Sequence, residues 1–216
     1  MFTAAATMPK RFEVSKSDMR IKICGITNLE DALDAVEAGA DALGFVFYKK
    51  SPRYISPEHA AEIVRELPPF VERVGLFVNL EAEEINYICK QSGMSLAQIH
   101  FEASERLYSA LDIKYLRVVR AKKREDLFLY ENEYRIVDAF VEGYGGEGKR
   151  LNPDWFEGID CTKIILAGGL NTHNVHEILH LPFFALDLSS GVEKKKGKKD
   201  KMKMQNFIKA VKNGKI

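Results

Sequence analysis

Thiols are scarce in this chain: Cys24, Cys89 and Cys161 are the only three in 216 residues. Odd in number and widely spaced, they make neither a disulfide framework nor a zinc pattern, which fits a reducing, cytoplasmic setting. No apolar run approaches the roughly 18 residues that would span a bilayer, so no membrane partner is expected. Charge of one sign is also missing. Net charge is +1, which leaves no global field to attract nucleic acid or a membrane surface. The first nineteen residues offer only Ala4-Ala5-Ala6 as an apolar core, too little for a secretory signal, and Glu13 and Asp18 weigh against a transit peptide. Residues 1–19 are read as a flexible N-terminal extension and 20–216 as one domain. The composition, 46% hydrophobic and 29% charged, is that of an ordinary globular protein with enough apolar surface for a sizeable core.

What is present is a regular alternation. Arg20 to Cys24 reads as a strand, with Lys22 and Cys24 on one face and Ile21 and Ile23 on the other. Asn28 caps a helix over Leu29 to Ala38, and Gly39 ends it. The run Ala42 to Phe47 is a buried parallel strand, and Ser56-Pro57 opens a helix to about Leu67. Strands then fall at 73–78, 96–100, 115–119, 135–140, 163–167 and 183–188. Helices fall at 81–92, 104–111, 122–130, 171–180 and 201–212, and the helix after the sixth strand has the faintest pattern. Strand–helix alternation implies a parallel sheet, and eight units favour a single-domain α/β (β/α)8 TIM barrel over an open sheet.

Active sites of such barrels lie at the C-terminal ends of the strands. Those ends carry Cys24, 47–53 with Arg53, Asn79, Gln98 and His100, Arg120, Asp138, Gly168-Gly169, and Ser189-Ser190-Gly191. Position along a strand is all that selects these residues, yet most of them are polar. Loops after strands seven and eight often hold a phosphate, and glycine N–H groups with serine hydroxyls suit that task. The bland alternative is that these glycines only turn the chain. Cys24 and Asp138 lie three strands apart in a ring of eight and can face each other across the mouth. A thiol and a carboxyl so placed suit proton transfer, one taking a proton from carbon while the other gives one to oxygen. A lone cysteine otherwise reads as a small core hydrophobe. Arg53 offers a planar fork for a carboxylate, although a lone surface arginine is usually solvated. Lys22 points inward, where an unpaired ammonium is costly, and Asp187 on the adjacent eighth strand is its expected partner.

Three other patterns carry less. Gly143-Tyr144-Gly145-Gly146-Glu147-Gly148 fits a dinucleotide fingerprint but opens no helix, and reads better as a loop closing over substrate. His176-Glu177-Ile178-Leu179-His180 fits a zinc-protease motif, yet it sits on the outer ring and Pro182 follows at once, so no metal is expected. The lysine run 194–203 reads as a solvated loop that steers an anionic substrate. Without interleaved aromatics it does not favour nucleic acid.

Taken together, the pieces resemble the phosphoribosylanthranilate isomerases of tryptophan biosynthesis. The likeness runs through Lys22-Ile23-Cys24-Gly25-Ile26-Thr27, 39–47, Ser51-Pro52-Arg53-Tyr54-Ile55-Ser56, 74–79, Gln98-Ile99-His100, Asp138, Tyr144-Gly145-Gly146, Gly148-Lys149, 166–171 and 187–193. These occur in family order over about residues 20 to 213. The resemblance implies a cofactor-free Amadori rearrangement of N-(5-phosphoribosyl)anthranilate to 1-(2-carboxyphenylamino)-1-deoxyribulose 5-phosphate. It implies Asp138 as general acid on the ring oxygen, Cys24 as general base at C2, and Arg53 on the anthranilate carboxylate. Gly168, Gly169, Ser189, Ser190 and Gly191 would hold the phosphate, with Gln98, His100 and Asp187 as further pocket residues. The expected partner is a small phosphosugar substrate, and the expected state is a monomer or homodimer. The sequence departs from the family at Phe101, where glycine is usual, in a longer 150–153 link, in the lysines of 194–199 where a proline is usual, and in the extension. The alternatives are a related aminoaldose isomerase on the same barrel and a non-catalytic binder of phosphoribosyl ligands, which would tolerate loss of Cys24 and Asp138.

Overall fold

A computed structural model describes residues 19–139 and 150–213. Eight parallel strands close into a barrel in sequence order: β1 (Arg20–Cys24), β2 (Ala42–Val46), β3 (Glu72–Phe77), β4 (Leu96–Ile99), β5 (Tyr115–Ala121), β6 (Arg135–Ala139), β7 (Ile164–Leu166) and β8 (Ala185–Leu188). Closure is made by β1 against β8, in a register that sets Lys22 opposite Asp187. The expected (β/α)8 barrel is therefore observed.

Around it lie α1 (Leu29–Ala38), α2 (Pro57–Arg65), α3 (Ala82–Ser92), α4 (Glu105–Ser109) and α5 (Lys201–Asn213). Helix α1 follows the sequence closely. The Asn28 side chain accepts from the Asp31 N–H, and Gly39 closes the C-terminus at φ 100°, a left-handed conformation that suits glycine. Its buried residues Ala32 and Ala35 belong to the same apolar core as Ile21 and Ile23, the outward residues of β1. The main core thus lies between strands and helices. A second, small apolar cluster of Leu116, Ile136, Ile165, Ala167 and Ala185 fills part of the barrel's interior. Met19 is buried, and its carbonyl accepts from Lys212 Nζ at 2.9 Å.

Two expected helices are not α-helices. Residues 122–130 contain only a 3-10 turn, Arg124–Phe128. There the Asp126 carboxylate accepts from the Lys122 and Lys123 N–H groups and competes with regular helix bonding. Residues 171–180 contain only Val175–Glu177. Asn171 Oδ1 takes the His173 N–H, and Asn174 Oδ1 takes the Asn171 N–H, so side chains satisfy the groups that would have started a helix. The lysine run is also corrected. It is a hairpin, β9 (Glu193–Lys195) and β10 (Lys198–Lys199), and Lys199 is buried inside the protein. No described helix is long and apolar enough to cross a membrane.

Candidate active site

Strand β1 ends at Cys24, and the chain turns at Gly25 with φ 82°. The backbone N–H groups of Gly25 and Ile26 both bond to the Gly44 carbonyl at 2.9 Å, which fixes the thiol at the barrel's mouth. Both glycines are sterically required here. A Cβ at Gly44 would lie 2.8 Å from Cys24 Sγ, and one at Gly25 would lie 2.5 Å from Arg53 Cδ. The thiol and the arginine therefore occupy space that side chains at these positions would take.

A cavity of ≈ 250 Å³ opens at this end of the barrel. It is lined by eleven of the residues singled out from the sequence, Cys24, Arg53, Gln98, His100, Asp138, Gly168, Gly169, Asp187, Ser189, Ser190 and Gly191, whereas the strand-end candidates Asn79 and Arg120 do not line it. Tyr48, Lys50, Ser51 and Lys196 also reach it. Neither Lys196 nor Glu193, which proves to organise the Arg53 side, stands out in the sequence as a site residue. The one available signal was Lys196-Gly197 between two polar runs, a two-residue hairpin turn hidden by its lysines.

Beneath the cavity, Lys22 Nζ contacts Asp187 Oδ2 at 2.7 Å and Gln98 Oε1 at 3.0 Å. The pair expected from strand closure is present. Burial works against the Lys22 ammonium, but Asp187 and then Cys24 hold it above its ordinary value, so it stays charged. Gln98 Nε2 passes the chain on to His100 Nδ1 at 3.3 Å. Burial, aided by Arg120 and Lys22, pulls His100 down to about 4, which leaves a neutral imidazole at physiological pH.

The acid and base candidates are displaced in useful and costly directions respectively. Burial, with the nearby Asp187 charge, pushes Asp138 up to about 6. Such a carboxyl keeps an appreciable protonated fraction near neutrality. Burial also raises Cys24 above its ordinary value, while the Lys22 charge opposes that rise. The resting thiol is thus neutral, and Lys22 is the group that brings a thiolate within reach.

Arg53 is not solvated, contrary to the bland reading of a lone surface arginine. It is buried and pairs bidentately with Glu193, Nε to Oε1 and Nη2 to Oε2, both at 2.8 Å. Lys199 Nζ shares Glu193 Oε1 at 2.9 Å. Burial opposes the Glu193 charge, but Arg53 and Lys199 outweigh it and hold the carboxyl below its ordinary range.

The loops after β7 and β8 also meet at this mouth. Gly168 and Gly169 have φ 94° and 62°, and a Cβ at Gly191 would lie 1.9 Å from the Leu170 carbonyl oxygen. This close approach of the two loops requires glycine. Ser189 Oγ and Asp187 Oδ1 are buried without a hydrogen-bond partner, so both have bonding capacity to offer a ligand. The metal-like motif is spent elsewhere: His180 pairs with Glu157 at 2.9 Å and Glu177 with Arg150 at 2.6 Å. Among the described residues no group of three or more His, Cys, Asp or Glu is placed to hold a metal. The Gly143–Gly148 motif lies outside the described residues. Cys89 and Cys161 are buried thiols pushed up to about 12, and they lie away from the cavity.

Known proteins are similar to this chain in sequence and fold. The family model described as N-(5'-phosphoribosyl)anthranilate isomerase matches residues 21–210. The N-(5'-phosphoribosyl)anthranilate isomerase of Sulfurovum sp. is 57% identical over 195 residues, covering 90% of this chain and 100% of the relative. The crystal structure of the Thermotoga maritima phosphoribosyl anthranilate isomerase is 43% identical with a TM-score of 0.83, covering 90% of this chain and 99% of that one. A phosphoribosyl anthranilate isomerase in complex with reduced 1-(o-carboxyphenylamino)-1-deoxyribulose 5-phosphate is 40% identical with a TM-score of 0.79, covering 90% and 99%. The chain belongs to the N-(5'-phosphoribosyl)anthranilate isomerase family.

Proposed function

We propose that Asp138 and Cys24 carry the family's Amadori rearrangement in this chain as general acid and general base. The isomerisation of N-(5'-phosphoribosyl)anthranilate to the carboxyphenylamino-deoxyribulose phosphate is the family activity. The observation that supports this division of roles is the raised carboxyl of Asp138 sharing one cavity with a thiol that has a lysine beside it. The reacting form is the acid–thiolate pair. Asp138 gives its proton to the furanose ring oxygen, and the ring opens to a protonated imine. The Cys24 thiolate then removes the C2 proton, leaving an enolamine that tautomerises to the ketose. The enzyme is left as carboxylate and thiol, and a proton returning from sulfur to Asp138 through solvent resets it. Net atoms are unchanged, as an isomerisation requires, and no cofactor enters.

Arg53 anchors the anthranilate carboxylate while Glu193 holds the guanidinium flat. The backbone and hydroxyls of Gly168, Gly169, Ser189, Ser190 and Gly191 seat the phosphate. Gln98, neutral His100 and Asp187 line the sugar's path and keep Lys22 aimed at the thiol. The reaction takes place in the cytoplasm, in line with three free thiols. The assembly state is a monomer or a homodimer. Sedimentation equilibrium reads the mass directly. For the chemistry, the test is Cys24→Ala, expected to lower kcat by about 10²–10⁴ with little change in KM. Near-native turnover would remove the thiol from the mechanism and leave the ligand-binder reading in its place.

A further inference from the structure

We infer that Lys196, at the tip of the hairpin in the eighth loop, is a second cation of the carboxylate subsite and a specificity-determining residue of this enzyme. The inference rests on the reading of Arg53 as the carboxylate anchor and adds to it.

The first observation is position. The hairpin leaves β8 beside the phosphate loops but crosses the first loop to end on the second. Thr27 Oγ1 donates to the Gly197 carbonyl at 2.6 Å. Gly197 itself lies so close to Pro52 that a Cβ there would meet the Pro52 oxygen at 2.8 Å. The tip is therefore docked on the residue before Arg53, and Lys196 lines the cavity.

The second observation is rigidity. Lys198 pairs with Glu30 at 2.7 Å and Asp31 at 2.8 Å, and the Lys199 N–H bonds Asp31 Oδ2 at 2.7 Å. Lys203 Nζ holds the Glu193 carbonyl at 2.8 Å. With β10 tied to α1, β9 tied to α5 through Lys203 and the tip tied to two loops, the backbone of Lys196 is held at the rim of the cavity. Among the described residues Lys198, Lys199 and Lys201 are all in ion pairs, whereas Lys196 forms none and is exposed.

The third is charge. Glu193 occupies Arg53 Nε and Nη2 and also Lys199, so most of the guanidinium's hydrogen-bonding edge is used inside the protein, while the three charges together keep one net positive charge. An incoming carboxylate would meet a guanidinium with two of its three nitrogens engaged. The Lys196 ammonium at the rim, on an anchored backbone, offers such a carboxylate a second cation, and Lys50, also on the rim, adds to it. Lys196 acts on the aryl carboxylate, the substrate group that a phosphoribosyl analogue made from unsubstituted aniline lacks.

The experiment compares N-(5-phosphoribosyl)anthranilate with N-(5-phosphoribosyl)aniline, each formed in situ, on the wild type, Lys196→Gln, Lys196→Arg and Lys194→Gln. Lys194 is exposed on the same hairpin but does not line the cavity. Lys196→Gln is expected to lower kcat/KM for the carboxylated substrate by about 5- to 20-fold, between an exposed ion pair and a charged hydrogen bond, and mostly through KM. It should change the aniline substrate by less than about twofold, and Lys196→Arg should restore most of the loss. Lys194→Gln should leave both substrates within about twofold, because its ammonium is solvated. Equal losses on the two substrates, as for a phosphate contact or general steering, would overturn the inference. So would no loss on either. If the wild type itself does not prefer the carboxylated substrate, the fault lies with the carboxylate reading of Arg53. If it does prefer it and Lys196→Gln keeps that preference, Lys196 alone is excluded.

Discussion

Replacing Asp138 by asparagine should inactivate the enzyme and stabilise the fold at the same time. Burial and the Asp187 charge raise the Asp138 carboxyl from an ordinary 3.8 to about 6. A carboxyl raised in the folded state binds its proton more tightly folded than unfolded. Its charge therefore costs stability as pH climbs from the unfolded value through about 6, and the cost is complete above that. By linkage this rise corresponds to a cost of roughly 3 kcal/mol at pH 7.5 and of roughly 1 kcal/mol at pH 4.5. Asparagine keeps the shape and never ionises. Urea unfolding should thus show Asp138→Asn more stable than wild type by up to ~3 kcal/mol at pH 7.5, with the advantage shrinking by about 2 kcal/mol at pH 4.5. Turnover, followed by loss of substrate fluorescence, should fall by about 10²–10⁴ over the same range. An asparagine variant no more stable than wild type at pH 7.5, or an advantage independent of pH, would refute the argument that burial sets this acid.

Other perturbations test the supports of the site. Lys22→Met leaves Asp187 buried without its cation and Gln98 without a donor, so thermal unfolding should reveal a loss of about 3–5 kcal/mol. Adding Asp187→Leu to that variant should recover most of it, because the uncompensated charge is then gone. Gly44→Ala pushes a methyl against Cys24 Sγ, and kcat should drop by about 10- to 100-fold while KM and the circular dichroism spectrum hold. Deleting residues 1–18 keeps Met19 and its bond from Lys212, so kcat/KM should stay within about twofold. A larger change would give the extension a part in the enzyme.

Much of the fold was legible because local signals and global packing agree. Asn28 and Gly39 mark the two ends of α1, and the alternation in Arg20–Cys24 already separates core-facing isoleucines from barrel-facing Lys22 and Cys24. The failures share one cause. In 122–130 and 171–180 the residue spacing permits a helix, but Asp126, Asn171 and Asn174 give their side chains to nearby N–H groups. Apolar periodicity does not register such competition.

The site divides along the same line. Strand-end residues such as Cys24, Gln98 and Asp138 could be gathered in advance, because barrel closure converts position along a strand into position around a mouth. That rule also predicted Lys22 with Asp187, since β1 and β8 must be neighbours. Nothing comparable governs the loops. Arg53 and Glu193 are 140 residues apart, and their bidentate contact arises only because a hairpin folds back over two other loops. A lysine run therefore looked like solvent-facing charge, when part of it is structural. Glu193 and Lys199 are drawn into the protein to fix Arg53, and once they are buried the hairpin's tip has a fixed direction. The same buried pairing that hides Arg53's charge from solvent gives Lys196 its place at the rim. Anchor and rim are thus one construction, and a change in Glu193 should disturb both together.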